Sequence, residues 1–176
     1  MKQHVNVTDY AKLITEMLPR GILLNTSGEK FNSMVIGWGG LGTVWGLPAF
    51  TVYVRESRYT KELLDKSGEF SISIPLERVD PLIQRVCGSL SGRDIDKEKE
   101  AGLILEEPEL IKTPGVRQYP LTLECRLLYR QKEVLADIPA PIRSRYYPEV
   151  PGTDDPDARD PHTAYIGQIV AAYIIE

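Results

Sequence analysis

The sequence predicts a mainly β protein, a closed antiparallel barrel with short helices at its periphery. At least six runs of alternating or apolar residues are bounded by turn residues, as the strands of a barrel are. The helical runs are short, and strands and helices nowhere alternate at the spacing of a parallel sheet. With 176 residues, 42% of them hydrophobic, the chain can bury one core, so we expect one domain over residues 1–176.

The first half of the chain predicts a helix followed by an antiparallel meander. Apolar residues recur at helical spacing after Thr8, a favourable N-cap residue, and we expect this helix to end at Pro19. Three strand-like runs follow, separated by segments rich in Gly, Ser and Trp: residues 21–27, 30–38 and 47–55. We expect these runs to pair in chain order.

Two further helices are predicted, each with a capping residue in front of it. Ser57 precedes residues 58–67, and Asp80, followed by a proline, precedes residues 81–90. Residues 69–75, between the two helices, alternate as a half-buried strand does.

The C-terminal part supplies the remaining strands. Residues 120–139 alternate over a long stretch and predict two strands, and residues 162–176 predict one more. The intervening residues 139–161 are rich in proline and aspartate, which predicts a long connection of functional or mobile character.

The composition excludes several classes of partner. A net charge of −4 and a pI near 5.3 leave no basic surplus for a nucleic acid or an anionic membrane. No segment has the features of a secretory leader or the length of a membrane span, so we expect a cytoplasmic protein. Cys87 and Cys125 stand far apart without metal-ligand spacing, so both are expected to be reduced thiols in or near the core.

Residues 37–42, GWGGLG, match the glycine spacing of dinucleotide-binding turns. That motif needs a helix directly after the glycines, so that its N-terminal N–H groups meet a pyrophosphate. Gly46 and Pro48 oppose such a helix, so we predict a glycine-rich hairpin connection instead. Its tryptophans, Trp38 and Trp45, either rim a pocket or serve as core or dimer-interface aromatics.

Hydroxyl and basic side chains gather where the second predicted helix begins. Arg55 ends a strand, and four residues with donor groups follow it: Ser57, Arg58, Tyr59 and Thr60. A helix N-terminus also leaves backbone N–H groups free, so this segment has the donors that an anion needs. The alternative is an ordinary helix cap with surface arginines.

The strand predicted over residues 30–38 offers a face for a flat ligand. Asn32, Met34 and Trp38 share one side of the strand, and the small Gly37 would let a ring approach the backbone closely. The alternative is a core stripe of Met and aromatic residues.

Residues 87–97 form a third candidate segment. Gly88 and Gly92 predict a tight turn, and three polar side chains near it can reach an anion: Ser91, Arg93 and Lys97. The alternative is a solvated, charged loop.

These segments, in this order, resemble the flavin reductase family with the FMN-binding split-barrel fold, in particular its flavoredoxin-like branch. The resemblance covers nearly the whole chain. Its carriers are NSMVIGWGGLGTVWGLP, VYVRESRYTKELL, EFSISIP, CGSLSGRDIDKEKEAGL, LECRLLY and HTAYIGQIVAAY. It implies a mainly β, antiparallel six-stranded Greek-key barrel with short peripheral helices.

The resemblance also implies a noncovalently bound FMN and a homodimer with the flavin near the subunit interface. The implied cofactor-binding residues are Asn32, Met34, Val35, Trp38, Arg55, Ser57, Arg58, Tyr59, Thr60, Gly88, Ser91, Gly92 and Lys97. Val35 and Gly37 depart from the family pattern, where threonine and serine are common, which removes two hydrogen-bonding groups near the ring.

Three functions stay open. The first is an oxidoreductase in which NADH or NADPH reduces the bound FMN, which then passes electrons to an acceptor. The second is a flavoredoxin-like electron-transfer protein that binds no nicotinamide, and the third is a barrel that has lost its flavin. No catalytic residue is assigned, because flavin carries the redox chemistry, although His162 and Glu124 are ionisable groups expected near the barrel ends.

The aspartates of residues 149–160 lack the spacing of a calcium loop, so no metal is expected there. These aspartates are Asp154, Asp155, Asp157 and Asp160. We interpret the loop as a mobile, solvated lid, with the hypothesis that it covers the flavin and influences substrate access.

Overall fold

Ten strands and five α-helices make up the fold in a computed structural model, which describes residues 1–176. The strands are β1 Lys2–His4, β2 Ile22–Ser27, β3 Phe31–Ile36, β4 Gly39–Val44, β5 Leu47–Arg55, β6 Glu69–Ile74, β7 Leu105–Glu106, β8 Gly115–Val116, β9 Leu121–Lys132 and β10 His162–Ile175. The helices are α1 Ala11–Met17, α2 Tyr59–Ser67, α3 Pro81–Ser89, α4 Lys97–Glu100 and α5 Ala140–Tyr146. None of these helices has the length and apolarity needed to span a membrane.

The main sheet is antiparallel and contains eight strands. Seven of them lie in the order β3-β2-β6-β9-β10-β5-β4, and the short β1 pairs with β10. The end strands β3 and β4 follow each other in the chain but form no ladder with each other, so the sheet stays open between them. The predicted fold class, mainly antiparallel β with short helices, is confirmed, and the strand count is higher than six.

The core lies inside this curved sheet. A cluster of 19 buried apolar residues draws on nearly every long strand, with Phe50, Phe70 and Tyr165 among its fully buried aromatics. Burial of this apolar surface is the main force that keeps the sheet wrapped around its interior. In β10, a Cβ at Gly167 would lie 2.6 Å from the Phe70 ring, so only glycine fits there.

Two strand predictions were wrong. Residues 120–139 contain one twelve-residue strand, β9, and a 3-10 turn, Leu135–Asp137, rather than two strands. No turn residue interrupts β9, and bulges in its pairing with β10 let the strand bend. The meander was also wrong: the glycine-rich segment after Trp38 is itself a strand, β4, so β5 pairs with β4 and β10 and lies away from β3. No helix follows these glycines, as expected.

Two predicted helix caps were also wrong. The side chain of Asn6, rather than Thr8, accepts the capping hydrogen bond, and it caps a 3-10 turn that precedes α1. At α2 the N-cap position is Arg58, without a side-chain cap, because Ser57 instead bonds to Asp160. The Asp80 cap of α3 is confirmed by its hydrogen bonds from the next two backbone N–H groups after the proline.

Two polar segments contain helices that the sequence pattern did not predict. The four-residue α4 lies in the charged segment that begins at Ser91, and its N-terminus is capped by Asp96. The connection 139–161 holds α5 and a 3-10 turn, Pro156–Arg159. Both cysteines are free and buried, as predicted.

Candidate functional site

Two cavities adjoin each other along β3 and the start of α2. The anion cavity, about 180 Å³, is lined by basic and hydroxyl side chains that include Ser57, Ser91 and Lys97. The aromatic cavity, about 190 Å³, is lined by Trp38, Tyr53 and His162 among others. The cavities are neighbours because three residues line both of them: Met34, Val35 and Arg58.

Lys97 is a buried cation without a counter-ion. Its side chain is 4% exposed, and Nζ donates to the backbone oxygens of Ser33, at 2.9 Å, and Cys87, at 3.1 Å. It makes no ion pair, which is unusual for a buried ammonium group. Burial lowers the pKa of Lys97, the nearby Cys87 thiol acts against this, and the positive charge of Arg58 again lowers the pKa. An anion in this cavity would relieve the effects of burial and of Arg58.

The start of α2 supplies the other donors of the anion cavity. Arg58 is exposed, and its guanidinium has no partner in the protein, so it is free to pair with a ligand. No side chain caps α2, whose N-terminus carries free N–H groups and a partial positive charge. The Ser57 hydroxyl, by contrast, already donates to Asp160 at 2.7 Å, and the Ser57 N–H does so at 2.8 Å.

Asn32 presents an unsatisfied acceptor in the wall of this cavity. Its Nδ2 donates to Thr60 Oγ1 at 2.9 Å, which fixes the side chain, while Oδ1 is buried without a hydrogen-bond partner. Gly92 packs directly on the same amide, and a Cβ there would overlap Oδ1 and press on the Tyr59 ring. The cavity thus offers one acceptor beside its cluster of donors.

The aromatic cavity has a flat, partly exposed rim. Trp38 is 40% exposed, and its ring lies 4.8 Å from His162 and 5.0 Å from Tyr146 between centroids. Arg55 lines the cavity, but its guanidinium is committed: NH1 donates to the Asp160 backbone oxygen at 2.9 Å and NH2 to that of Tyr146 at 3.2 Å. Arg55 therefore holds the last residue of α5, Tyr146, and the end of the connection at Asp160 against this wall.

The thirteen residues predicted to bind the cofactor all line one of these cavities. All but Trp38 and Arg55 line the anion cavity, and those two line the aromatic cavity. Trp45 does not join them: it is 70% exposed in the β4–β5 hairpin turn and faces Tyr129. The fully buried Glu124 is structural, since it accepts hydrogen bonds from three consecutive backbone N–H groups and from the Tyr173 hydroxyl.

Seven lining residues lie outside these thirteen, although the sequence singles out Gly37, Arg93 and His162 for other reasons. In the anion cavity these are Cys87, Leu90 and Arg93, and in the aromatic cavity Ile36, Gly37, Tyr53 and His162. Alternate residues of a strand lie on the same face, so the position of Tyr53 in β5, two residues before Arg55, predicts that it lines the same cavity. Arg93 instead bonds the backbone oxygen of Ser57 at 3.2 Å and pairs with Glu62, so it braces α2.

Comparison with known proteins agrees with this architecture. The family model described as "Flavin reductase like domain" matches residues 15–176. The chain belongs to this family. The family that the sequence resembles is therefore confirmed.

Individual relatives of this flavin reductase-like chain show the same likeness. An uncharacterized protein of Archaeoglobus fulgidus is 27% identical over 122 residues, which span 69% of this chain and 68% of the relative. Among solved structures, an FMN-binding domain of a flavin reductase-like enzyme from Shewanella baltica is 20% identical with a TM-score of 0.64, over 99% of this chain and 77% of that one. The flavoredoxin of Methanosarcina acetivorans is 25% identical with a TM-score of 0.62, over 89% and 68% of the two chains.

The residues of the two cavities fit FMN, the flavin of this family's neighbours. A phosphate dianion matches the uncompensated Lys97 and the free guanidinium of Arg58. A ribityl hydroxyl matches the unpaired Asn32 Oδ1, since that oxygen lacks a donor. A flat, largely apolar ring matches the wall formed by Met34 and Trp38.

The acidic residues of the α5 connection lie elsewhere. Asp154 and Asp157 line a separate cavity of about 650 Å³, where Asp157 pairs with Lys132 at 2.6 Å. The aromatic cavity is lined by none of the aspartates of residues 149–160. Only Asp160 reaches the neighbourhood of the site, through its bonds with Ser57.

Proposed function

We propose that this protein holds one FMN per subunit without a covalent bond, with the phosphate in the anion cavity and the ring in the aromatic cavity. The observation that carries the proposal is the buried, uncompensated Lys97 in a cavity whose only unpaired amide oxygen belongs to Asn32. A protein keeps a buried cation without a counter-ion at a cost in stability, and a bound anion offsets that cost.

Each group of residues would have a separate task in this arrangement. Lys97 and Arg58 neutralise the phosphate, and the N-terminus of α2 adds its partial positive charge. Asn32 accepts a hydrogen bond from the ribityl chain, and Trp38 packs against the ring and keeps water from one side of it. The flavin, when bound, supplies the electron transfer itself.

We further propose that NADH or NADPH is the electron donor, which makes the protein an NAD(P)H-dependent flavin oxidoreductase. The family membership supports an oxidoreductase, and the partly exposed rim at Trp38 leaves room for a second molecule beside the ring. The alternative is a flavoredoxin-like electron carrier without nicotinamide binding, which the likeness to the Methanosarcina acetivorans flavoredoxin favours.

Steady-state oxidation of NADH and NADPH by the FMN-loaded protein separates these functions. Turnover with either nucleotide is the expected result. A protein that binds FMN tightly but oxidises neither nucleotide would support the electron carrier instead. A protein that stays colourless and ignores added FMN would contradict both.

A homodimer is part of the proposal. Trp45 is 70% exposed and the adjacent Tyr129 45% exposed, and exposed aromatics of this kind are typical of the buried part of interfaces. Analytical ultracentrifugation should give the mass of two chains, and Trp45→Glu should shift the equilibrium to monomer. A wild-type protein of single-chain mass at all concentrations would contradict the dimer.

A further inference from the structure

A chain of three hydrogen-bonded side chains, two of them buried and Glu133 partly exposed, ends at the aromatic cavity. The Tyr147 hydroxyl lies 2.7 Å from Glu133 Oε2 and 2.7 Å from His162 Nδ1. Tyr147 is 2% exposed and His162 7%, and His162 itself lines the cavity. Neither Tyr147 nor Glu133 touches the cavity, so any role they have there passes through His162.

The hydrogen bonds determine where the protons lie. A carboxylate only accepts, so the Tyr147 hydroxyl donates to Glu133, and the same carboxylate oxygen also accepts the His162 backbone N–H at 3.0 Å. Because the Tyr147 hydroxyl proton is used in the bond to Glu133, the Tyr147 oxygen can only accept towards His162, so His162 Nδ1 must donate. The neutral imidazole therefore carries its proton on Nδ1 and a lone pair on Nε2, which has no partner in the protein.

The charges around the imidazole oppose one another. Burial lowers the pKa of His162, and the positive charge of Arg55 adds to this, whereas Glu133 and Asp160 act in the opposite direction. Arg58 is a further cation in the wall of the same cavity. His162 is thus mostly neutral near pH 7, and an imidazolium formed there gives up its proton readily.

We propose that Glu133 and Tyr147 position His162 so that its Nε2 exchanges protons with an acceptor bound beside the flavin ring, at the rim of the aromatic cavity. This role rests on the proposed flavin function. A carbonyl-type acceptor such as a quinone is reduced by two electrons and two protons, of which both electrons and one proton come from the bound reduced flavin as a hydride equivalent. His162 gives the second proton, as its Nε2–H bond breaks and an O–H bond forms on the acceptor.

The exchange then resets without disturbing the chain of hydrogen bonds. His162 takes up its Nε2 proton from water before each transfer and returns to the neutral form after it, while the Nδ1 proton stays on the bond to Tyr147 throughout. The positive charge of the transient imidazolium is stabilised by Glu133 through that bond. In these terms His162 is catalytic, and Tyr147 and Glu133 are positioning residues.

Nitrogen NMR of the flavin-free protein tests the positioning directly. The chain has two histidines, so His4→Gln leaves the signals of His162 alone. The expected neutral form has its proton on Nδ1, and Tyr147→Phe should shift the ring towards the Nε2–H form. A wild-type ring protonated on Nε2, or no change in Tyr147→Phe, would overturn the proposal. This measurement needs no flavin, so it is independent of whether FMN binds.

Two electron acceptors test the proton exchange. Reduction of p-benzoquinone consumes protons, whereas reduction of ferricyanide does not. The rate with p-benzoquinone divided by the rate with ferricyanide therefore measures proton delivery. We expect this ratio to fall about 10²-fold in His162→Gln and about tenfold in Tyr147→Phe, as for loss of a general acid and of its support. Tyr10→Phe is the matched control, because Tyr10 packs against the core, lines neither cavity and takes no part in the hydrogen bonds to His162, and its ratio should equal that of the wild type.

Each other outcome has a distinct meaning. An unchanged ratio in His162→Gln would overturn the role of His162 while leaving the flavin function intact. A wild-type protein that reduces neither acceptor would overturn the proposed function, and with it this role, whatever the NMR result.

Discussion

Replacement of Lys97 by methionine should weaken the binding of FMN much more than that of riboflavin, which lacks the phosphate. Methionine keeps most of the volume of the side chain but removes the charge. A hydrogen bond to a charged group contributes about 1.5 to 3 kcal/mol, and about 1.4 kcal/mol corresponds to a factor of ten. Because Lys97 is 4% exposed, solvent screens this interaction little. The Kd for FMN should therefore rise about 10- to 100-fold.

Fluorescence titration of the apo-protein with each flavin measures this effect. The Kd for riboflavin should change less than about threefold, since riboflavin has no group for the lysine to pair with. Lys99→Met is the matched control: it lies on the same helix and removes the same charge, but its side chain is 83% exposed and pairs with Asp96. Equal weakening of FMN and riboflavin in Lys97→Met, or equal effects of Lys97→Met and Lys99→Met, would refute the reasoning.

Three further substitutions test other parts of the account. Gly92→Ala should displace Asn32 and weaken binding of both flavins about tenfold or more in titration, and an unchanged Kd would mean that this close contact is unimportant. Asp160→Asn keeps the left-handed backbone accessible but loses one acceptor for Ser57, so limited proteolysis within residues 149–159 should accelerate. Burial raises the pKa of Asp65, but hydrogen bonds from its lysine and tyrosine partners outweigh this and lower it overall. The stability from these bonds is present above pH about 4 and lost as pH falls further, so Asp65→Asn should flatten that part of the urea-unfolding profile.

Local patterns in the sequence carry most of the fold and much of the candidate site. The helix N-terminus at Arg58 and the turn at Gly92 are local features, and donor-rich residues at such places can bind an anion. Each segment alone is equally compatible with an ordinary cap or loop. No local pattern determines which strands become neighbours. Only the family resemblance therefore predicts that these segments converge on one cavity.

The failures come from contacts between residues distant in the sequence. Ser57 was predicted to cap α2, but Asp160, 103 residues later, provides a charged acceptor for the same hydroxyl. Charged acceptors form stronger hydrogen bonds than neutral ones, so the long-range partner prevails. Similarly, Arg55 is predicted to hold phosphate, yet its guanidinium bonds to the backbone oxygens of Tyr146 and Asp160.

The strand errors have a geometric cause. Glycine is rare within strands, so the sequence predicts a connection after Trp38. The segment instead forms β4 at the end of the sheet, where it pairs only with β5. Likewise, β9 stays a single strand because β10 accompanies it along nearly its whole length. Pairing of this kind depends on the assembled sheet and leaves no signature in local sequence.

A crystal structure of the protein with FMN tests the central claim most directly. The account predicts phosphate oxygens within about 3.2 Å of Lys97 Nζ and the flavin ring against Trp38. A phosphate bound outside the anion cavity, or a ring that lies away from β3, would contradict it.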